Sequence, residues 1–151
     1  MPLEKYHAKR KFEKMPEPKG EILTKSQNRF VVQEHHATHL HYDFRLELDG
    51  VLKSWAVPKG PPEKIGEKKL AMQVEDHPVD YINFHGIIPE GSYGAGIVKI
   101  WDKGKFALLN RTASTVEFNL KGKRLTGRYT LVKVKNPKFK RNAWLLIKLR
   151  N

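Results

Sequence analysis

The chain has 151 residues, of which 39% are hydrophobic and none is cysteine, and it carries a net charge of +13. This length and composition predict one folded domain with its own core. The lack of cysteine excludes disulfides, thiolate catalysis and thiolate zinc sites. No apolar run approaches the roughly 20 residues of a membrane span, and residues 1–12 lack the apolar core of a signal peptide, so we expect a soluble, cytoplasmic protein.

The positive charge is concentrated at the two ends of the chain. Residues 1–30 hold eight Lys and Arg against four acids, and residues 31–120 hold ten against twelve. Residues 121–151 hold eleven basic residues and no acid. Segregated charge of this kind favours a polyanion bound across one side of the protein. Nucleic acid is the favoured partner, and an acidic protein or a membrane surface remains an alternative.

The N-terminal segment, residues 1–28, combines prolines with charged residues and has no apolar period. This pattern predicts an extended basic arm with at most one turn of helix, followed by a single β-domain over residues 29–151. A basic tail without a binding role would have the same composition. The first predicted strand covers Phe30–Gln33, and His35 and His36 follow its end.

Residues 40–48 alternate strictly between apolar and polar side chains. This period of two predicts a strand that buries its apolar face, Leu40, Tyr42, Phe44, Leu46 and Leu48, and leaves the other face to solvent. The polar face carries His39, His41, Asp43, Arg45 and Glu47. Imidazole and carboxylate are ligands for Zn, Mn or Fe, and a neighbouring arginine is suited to a phosphate oxygen. An ordinary solvated face would also be polar, so this strand alone leaves the metal site open.

Asp49-Gly50 predicts a two-residue hairpin turn. The returning strand runs from Val51 to Pro58 and delivers Lys59 at its end, before Gly60 and two prolines. A second alternating segment begins at Leu70. Its predicted inward residues are Leu70, Met72 and Val74, and the opposite face carries Gln73, Glu75 and His77.

The remaining chain predicts turns and short strands. Residues 84–96 are rich in glycine, which indicates tight turns and bulges. We predict a strand at Ile97–Trp101, a turn at residues 102–105, and further strands at Lys105–Leu109, Thr115–Leu120, Gly127–Lys135 and Ala143–Leu149. Short strands at this spacing, without a convincing amphipathic helix, predict an all-β barrel or sandwich.

Two long blocks carry a family resemblance. They are FVVQEHHATHLHYDFRLELDGVLKSWAVPKGP, residues 30–61, and MQVEDHPVDYINFHGIIPEGSYGAG, residues 72–96, together with WDKG at residues 101–104. The chain resembles the 3′-phosphoesterase domain of bacterial DNA ligase D, here in stand-alone form. The resemblance implies a compact antiparallel β-barrel with short or no helices. It also implies a manganese-dependent enzyme that heals DNA 3′ ends before repair ligation in non-homologous end joining.

The implied activity has two steps. A phosphodiesterase step removes a terminal ribonucleoside and leaves a 3′-phosphate, and a phosphomonoesterase step then leaves a 3′-hydroxyl. The family motif places metal ligation on His35, His41 and Asp43. The implied cofactor is Mn²⁺, and this ligand set also accepts Co²⁺ or Zn²⁺.

The resemblance assigns the phosphate contacts to a further set of residues. Arg45 matches a phosphate clamp, and Lys59 and Tyr81 match positions near the phosphate. His77 matches a histidine that contacts the phosphate in the transition state or transfers a proton. Glu75, on the same face as His77, is expected to orient that histidine or a metal ligand.

The implied substrate contacts are Arg10, Glu17 and Lys69, and two positions depart from the family pattern. Lys11 stands where relatives have an acid, which predicts a weaker diesterase step than monoesterase step. Lys69 stands where relatives tend to have arginine, which weakens a bidentate phosphate contact there.

The implied partners are primer–template DNA 3′ ends, with a terminal ribonucleotide or a 3′-phosphate, and a separate DNA ligase. Two other functions remain as alternatives. A DNA-binding module with inert histidines would bind DNA without regard to His41. A hydrolase of a small phosphorylated metabolite would not need the basic residues near the C-terminus.

Overall fold

The computed structural model describes residues 3–9, 26–136 and 138–151. Short helical segments in these residues are α1, Glu4–Ala8, and a 3-10 helix, Val79–Asn83. The strands are β1 Arg29–His36, β2 Leu40–Leu48, β3 Val51–Val57, β4 Lys68–His77, β5 Gly86–Ile88, β6 Gly96–Arg111, β7 Thr115–Lys121, β8 Thr126–Lys133 and β9 Ala143–Lys148. The predicted all-β class is confirmed. Among these residues, no helix is long and apolar enough to cross a membrane.

Eight of the strands close into an antiparallel barrel. The order is β1-β2-β3-β4-β9-β8-β7-β6, and β6 pairs again with β1 to complete the ring. Strand β6 is long enough to have two sets of neighbours, because residues 97–105 pair with β1 and residues 105–111 pair with β7. Strand β5 pairs only with the first residues of β6. The barrel predicted from the sequence is therefore confirmed.

The barrel interior holds the main hydrophobic core. Its aromatic centre contains Phe44, Phe118 and Tyr129, with ring centroids 5.7 Å apart for the first pair and 6.2 Å for the second. The hairpin between β2 and β3 turns at Asp49 and Gly50, whose φ angles are 57° and 78°. Two successive positive φ values identify the predicted two-residue hairpin turn.

A second, smaller apolar cluster lies on the outer side of the barrel. Tyr6 from α1 and Tyr81 and Ile82 from the 3-10 helix pack over Val31 and Leu52. This outer layer also covers the polar face of β2. Asp43, Arg45 and Glu47 are 7%, 3% and 0% exposed, so the prediction that this face meets solvent is wrong for these three residues, whereas His39 is exposed and His41 is partly exposed. Alternation located the face correctly, but it does not reveal what packs on it.

Two leucines predicted to be buried are exposed. Leu40 is 48% exposed because β2 begins with it, at the rim of the barrel. Leu70 is 38% exposed, whereas its neighbour Ala71 is fully buried in the barrel core. At this point of β4, Ala71 and not Leu70 is therefore the inward residue.

Two predicted boundaries also differ from the structure. His35 and His36 belong to β1, where they pair with His41 and Leu40. The predicted turn at residues 102–105 is absent, because β6 runs through it. Gly104 serves close packing there, since a Cβ at this position would lie 2.2 Å from the Lys121 carbonyl oxygen.

Candidate metal centre and catalytic cavity

The pairing of β1 with β2 brings three metal-ligating residue types together. His35 lies opposite His41, and Asp43 is two residues further along the same face of β2. Potential ligand atoms of all three lie within 4.8 Å of one another. Asp43 Oδ2 is 3.6 Å from His35 Nδ1, and Asp43 Oδ1 is 3.3 Å from His41 Nε2. The structure thus brings together the three residues that the sequence assigned to one site.

Backbone carbonyls orient both imidazoles of this cluster. His35 Nε2 lies 2.7 Å from the Gly94 carbonyl oxygen, and His41 Nδ1 lies 3.1 Å from that of His39. A neutral ring that donates through one nitrogen keeps a lone pair on the other. The lone pairs therefore fall on His35 Nδ1 and His41 Nε2, the two atoms nearest Asp43. Two oriented imidazoles and a carboxylate fit a divalent metal ion.

The charges of the cluster favour an ionised Asp43. Burial raises the pKa of Asp43, but the Arg45 charge and the neighbouring His35 and His41 side chains outweigh burial and hold that pKa well below its usual range. The hydrogen bond to Asp43 raises the pKa of His41, against the effect of burial. Asp43 is thus an ionised carboxylate at neutral pH. His41 must give up any bound proton before it can hold a metal.

Arg45 connects the cluster of His35, His41 and Asp43 to His77. Its Nη2 lies 3.5 Å from Asp43 Oδ2, its Nη1 lies 3.2 Å from His77 Nδ1, and its guanidinium lies 5.0 Å from the Tyr81 ring centroid. A buried guanidinium in this position is the expected group for binding a phosphate oxygen.

Gln33 fixes the orientation of Arg45, and the sequence analysis missed it. Its Oε1 accepts a hydrogen bond of 2.7 Å from Arg45 Nε. Its Nε2 donates to the carbonyls of Tyr81 and Phe84, at 2.9 and 3.0 Å. Gln33 lies directly opposite Asp43 in the β1–β2 pair. The sequence did contain one indication of this role: Gln33 is two residues before His35 in the same strand, so both side chains lie on the same face.

His77 ends β4 and is 4% exposed. Its ring packs edge-on against Tyr6 and Tyr81, with centroid distances of 5.0 and 4.8 Å. His77 Nδ1 also lies 3.0 Å from the Glu75 carbonyl oxygen. The aromatic contacts and the two Nδ1 contacts hold the ring in one orientation beside Arg45.

These residues line an open cavity of about 280 Å³ on the outer face of the barrel. Its lining includes His35, His41, Asp43, Arg45, Glu75, His77, Tyr81 and Tyr93. A second cavity of about 610 Å³ shares the lining residues Val74, Glu75 and Tyr93 with the first. Glu75 Oε2 forms a 3.1 Å ion pair with Lys9 Nζ at this boundary. Tyr93 was not singled out from the sequence, where its glycine-rich segment indicated only turns.

Two predicted site residues, Lys59 and Lys69, are not brought to the cavity. Lys59 is exposed in the turn after β3, and Lys69 Nζ lies 3.6 Å from Glu67 Oε2 near the start of β4. Neither residue lines the cavity. Arg10 and Glu17, and also Lys11, lie outside the described residues. The roles of these residues stay predictions.

Comparison with known proteins matches the chain to DNA ligase D proteins. Residues 33–133 match the family model described as the DNA Ligase D 3′-phosphoesterase domain. The chain is 48% identical over 158 residues to the multifunctional non-homologous end joining protein LigD of Pseudomonas aeruginosa. It is 45% identical over 156 residues to the corresponding DNA repair protein of Mycobacterium tuberculosis.

The two alignments differ greatly in the share of each protein that they cover. They include 99% of this chain, but only 19% of the Pseudomonas protein and 20% of the Mycobacterium protein. The chain therefore spans about a fifth of the length of these relatives. The resemblance predicted from the sequence blocks is confirmed.

Proposed function

Because the chain belongs to the DNA ligase D 3′-phosphoesterase domain family, we propose that it is a metal-dependent phosphoesterase that processes DNA 3′ ends for repair. The observation that carries this proposal is the convergence of a His-His-Asp cluster, Arg45 and His77 on one cavity. The cluster is suited to a metal ion, and the arginine and histidine beside it are suited to a phosphate.

We assign metal binding to His35 Nδ1, His41 Nε2 and a carboxylate oxygen of Asp43. The hydrogen bonds from the opposite ring nitrogens to Gly94 and His39 support this choice of atoms. Mn²⁺ is the proposed ion, and Co²⁺ and Zn²⁺ also suit the donor set. Such an ion supplies Lewis-acid polarisation of the phosphate and activation of water.

The protein side chains then bind the phosphate and move the proton. Arg45 donates hydrogen bonds to non-bridging phosphate oxygens, because Gln33 and Tyr81 already hold its guanidinium beside the metal cluster. His77 contacts the phosphate in the transition state or protonates the leaving oxygen, which is the ribonucleoside 5′ oxygen in the diesterase step and the DNA 3′ oxygen in the monoesterase step. We assign this role to its Nε2, because Nδ1 is engaged by Arg45 and the Glu75 carbonyl. Glu75 orients His77 through its backbone carbonyl, which lies 3.0 Å from His77 Nδ1.

The proposed substrates are primer–template 3′ ends that carry a terminal ribonucleotide or a 3′-phosphate. Tyr81 lines the cavity next to Arg45, and we keep Lys59 and Lys69 as proposed contacts to phosphates beyond it. Arg10 and Glu17 are proposed to contact the terminal ribonucleoside, and Lys11 beside them is expected to weaken the diesterase step. A separate DNA ligase is the proposed user of the 3′-hydroxyl product.

The test follows the end of a labelled DNA primer annealed to a longer template. One primer ends in a ribonucleotide and another in a 3′-phosphate, each incubated with Mn²⁺ or with chelator. Wild type is expected to convert both to a 3′-hydroxyl only with metal. His41→Ala is expected to lose at least about 100-fold in rate, since it removes one of three ligands.

His39→Ala is the matched control, because it removes a nearby exposed imidazole while the His39 carbonyl that orients His41 stays in place. This control is expected to keep its activity. Metal-dependent conversion that survives in His41→Ala would contradict the assigned site. Metal-dependent loss of phosphate from small metabolites, with none from DNA, would refute the DNA substrate.

A further inference from the structure

Tyr93 lies where the two cavities meet, and the proposed chemistry gives it no role. It lines both cavities, and it is 48% exposed. Exposed aromatic side chains beside a cationic groove are the elements that proteins use to stack nucleic acid bases. The question is whether this ring is held in a fixed place relative to the metal cluster.

The loop that carries Tyr93 is fixed to β1 at two glycines that follow the tyrosine, Gly94 and Gly96. The Gly94 carbonyl accepts the hydrogen bond from His35 Nε2. Gly96 packs so closely on β1 that a Cβ there would lie 2.3 Å from the His36 carbonyl oxygen. Tyr93 is therefore held one residue away from a group that orients a metal ligand.

Lys9 fixes the ring from the other side. Its Nζ lies 4.4 Å from the Tyr93 ring centroid and donates a 3.1 Å hydrogen bond to the phenol oxygen. The same Nζ is paired with Glu75, whose side chain is only 5% exposed. A nearly buried carboxylate thus anchors the lysine, and the lysine orients the tyrosine.

The larger cavity indicates which part of a DNA strand reaches Tyr93. Its lining includes Tyr93, Lys5, Lys9 and Asn142, together with the acidic residues Glu4, Glu75 and Asp76. Two hydrogen bonds join Asn142 to Gln73. The backbone N–H of Gln73 donates to the Asn142 carbonyl at 2.8 Å, and Asn142 Nδ2 donates to the Gln73 carbonyl at 2.9 Å. The β8–β9 connection therefore borders this cavity.

That connection is strongly basic. It carries exposed cations that form no ion pair with any residue that the structure describes, namely Lys135, Lys138, Lys140 and Arg141. A continuing DNA strand brings a phosphate with every nucleotide and needs such a run of cations. A single departing nucleoside does not.

We propose that Tyr93 is the stacking platform for the last retained base of the DNA strand, which runs through the larger cavity towards the β8–β9 connection. This inference rests on the proposed function and deepens it. Stacking on Tyr93 places the 3′ phosphate in the smaller cavity, beside Arg45 and the metal ligands. Tyr93 acts by positioning the substrate, so its loss affects KM and binding more than the chemical step.

The test compares two DNA ends that differ only in the last retained base. One primer carries a normal base there and the other an abasic residue, and both end in a 3′-phosphate for turnover or a 3′-hydroxyl for binding. We expect wild type to favour the normal base by about 5- to 100-fold in KM and in Kd, the usual range for stacking one base on an aromatic ring. Tyr93→Leu removes the aromatic ring and is expected to lose most of this preference with little change in kcat.

Tyr93→Phe is the matched control, because it keeps the ring and removes the phenol oxygen that accepts the hydrogen bond from Lys9. It is expected to keep the base preference. Ile65→Ala, an exposed apolar residue in the loop before β4, controls for unspecific effects.

Three outcomes would overturn the inference. Tyr93→Leu could keep the preference for a base, or wild type could show none. Tyr93→Leu could also slow only ribonucleotide-terminated ends, which would place the departing nucleoside on Tyr93. Because Kd is measured on the unreactive 3′-hydroxyl DNA, a lack of turnover would refute the proposed function without deciding the role of Tyr93.

Discussion

Replacing Gln33 by methionine would test whether Arg45 must be held by a neighbour in order to work. The substitution keeps the length of the side chain but removes three buried hydrogen bonds, one from Arg45 Nε and two to the carbonyls of Tyr81 and Phe84. Each buried polar group left without a partner costs about 1–3 kcal/mol. The Tyr81 carbonyl still accepts the Phe84 N–H, so two groups, Arg45 Nε and the Phe84 carbonyl, lose their partner, and we expect the free energy of unfolding to fall by about 2–6 kcal/mol.

The same change should slow the reaction. Without Gln33, the guanidinium of Arg45 is held only by its contacts with Asp43, His77 and Tyr81. Loss of a residue that orients a catalytic group typically costs about 10- to 100-fold in activity. Urea unfolding followed by tryptophan fluorescence measures the first effect, and kcat on a 3′-phosphate end measures the second.

Thr130→Val is the control for this experiment. Thr130 lies in the barrel, away from the cavity, and its hydroxyl makes one buried hydrogen bond to the Val116 carbonyl. It is expected to lose about 1 kcal/mol of stability and no activity. A Gln33→Met variant that is as stable and as active as Thr130→Val would refute the role assigned to Gln33.

Three further changes test other parts of the structure. Mn²⁺ binding should weaken as the pH falls through the pKa of His41, which the hydrogen bond to Asp43 raises above its ordinary value, because the metal needs the neutral ring. Titration calorimetry should detect this loss on acidification, and an affinity that stays constant would contradict it. Asp102→Ala leaves four backbone N–H groups without their acceptor, so thermal unfolding should show a loss of about 3–5 kcal/mol, whereas an unchanged Tm would contradict this. Gly96→Ala forces a methyl group against the His36 carbonyl and displaces the loop that orients His35. This change should weaken Mn²⁺ binding by about 10-fold or more, and wild-type affinity would show that the loop does not orient the ligand.

Alternation along β2 predicted the side on which the metal ligands lie but not their surroundings. A strand that is buried on both faces still alternates when one face is apolar and the other carries paired polar groups. Asp43 and Arg45 are of this kind, because each charge is balanced by the other and by neighbouring side chains. Sequence periodicity reports the two faces of a strand. It cannot report that α1 and the 3-10 helix cover the polar face.

The residues that sequence analysis missed depend on contacts between distant segments. Gln33 looks like any polar residue of a strand until Tyr81 and Phe84, about fifty positions later, pack over it. Tyr93 lies in a segment whose glycines indicated turns, and its position at the cavity mouth depends on the docking of that segment on β1. Residues 102–105 resembled a turn because Asp and Gly favour turns, yet here they allow β6 to pass close to β7.

The cavity is built from two parts of the structure, the barrel and the outer layer, and each part has its own apolar cluster. His35, His41 and Asp43 lie on paired strands of the barrel, whose main core is independent of the outer layer. Tyr81 belongs to the outer layer, which is joined to the barrel by the small cluster around Tyr6 and Val31. Arg45 is on the barrel but contacts groups of both parts, Asp43 and His77 on barrel strands and Tyr81 in the outer layer. Changes in the outer layer should therefore affect metal binding less than phosphate binding. The reason is that, of these two sets of contacts, only the phosphate contacts depend on the position of the outer layer.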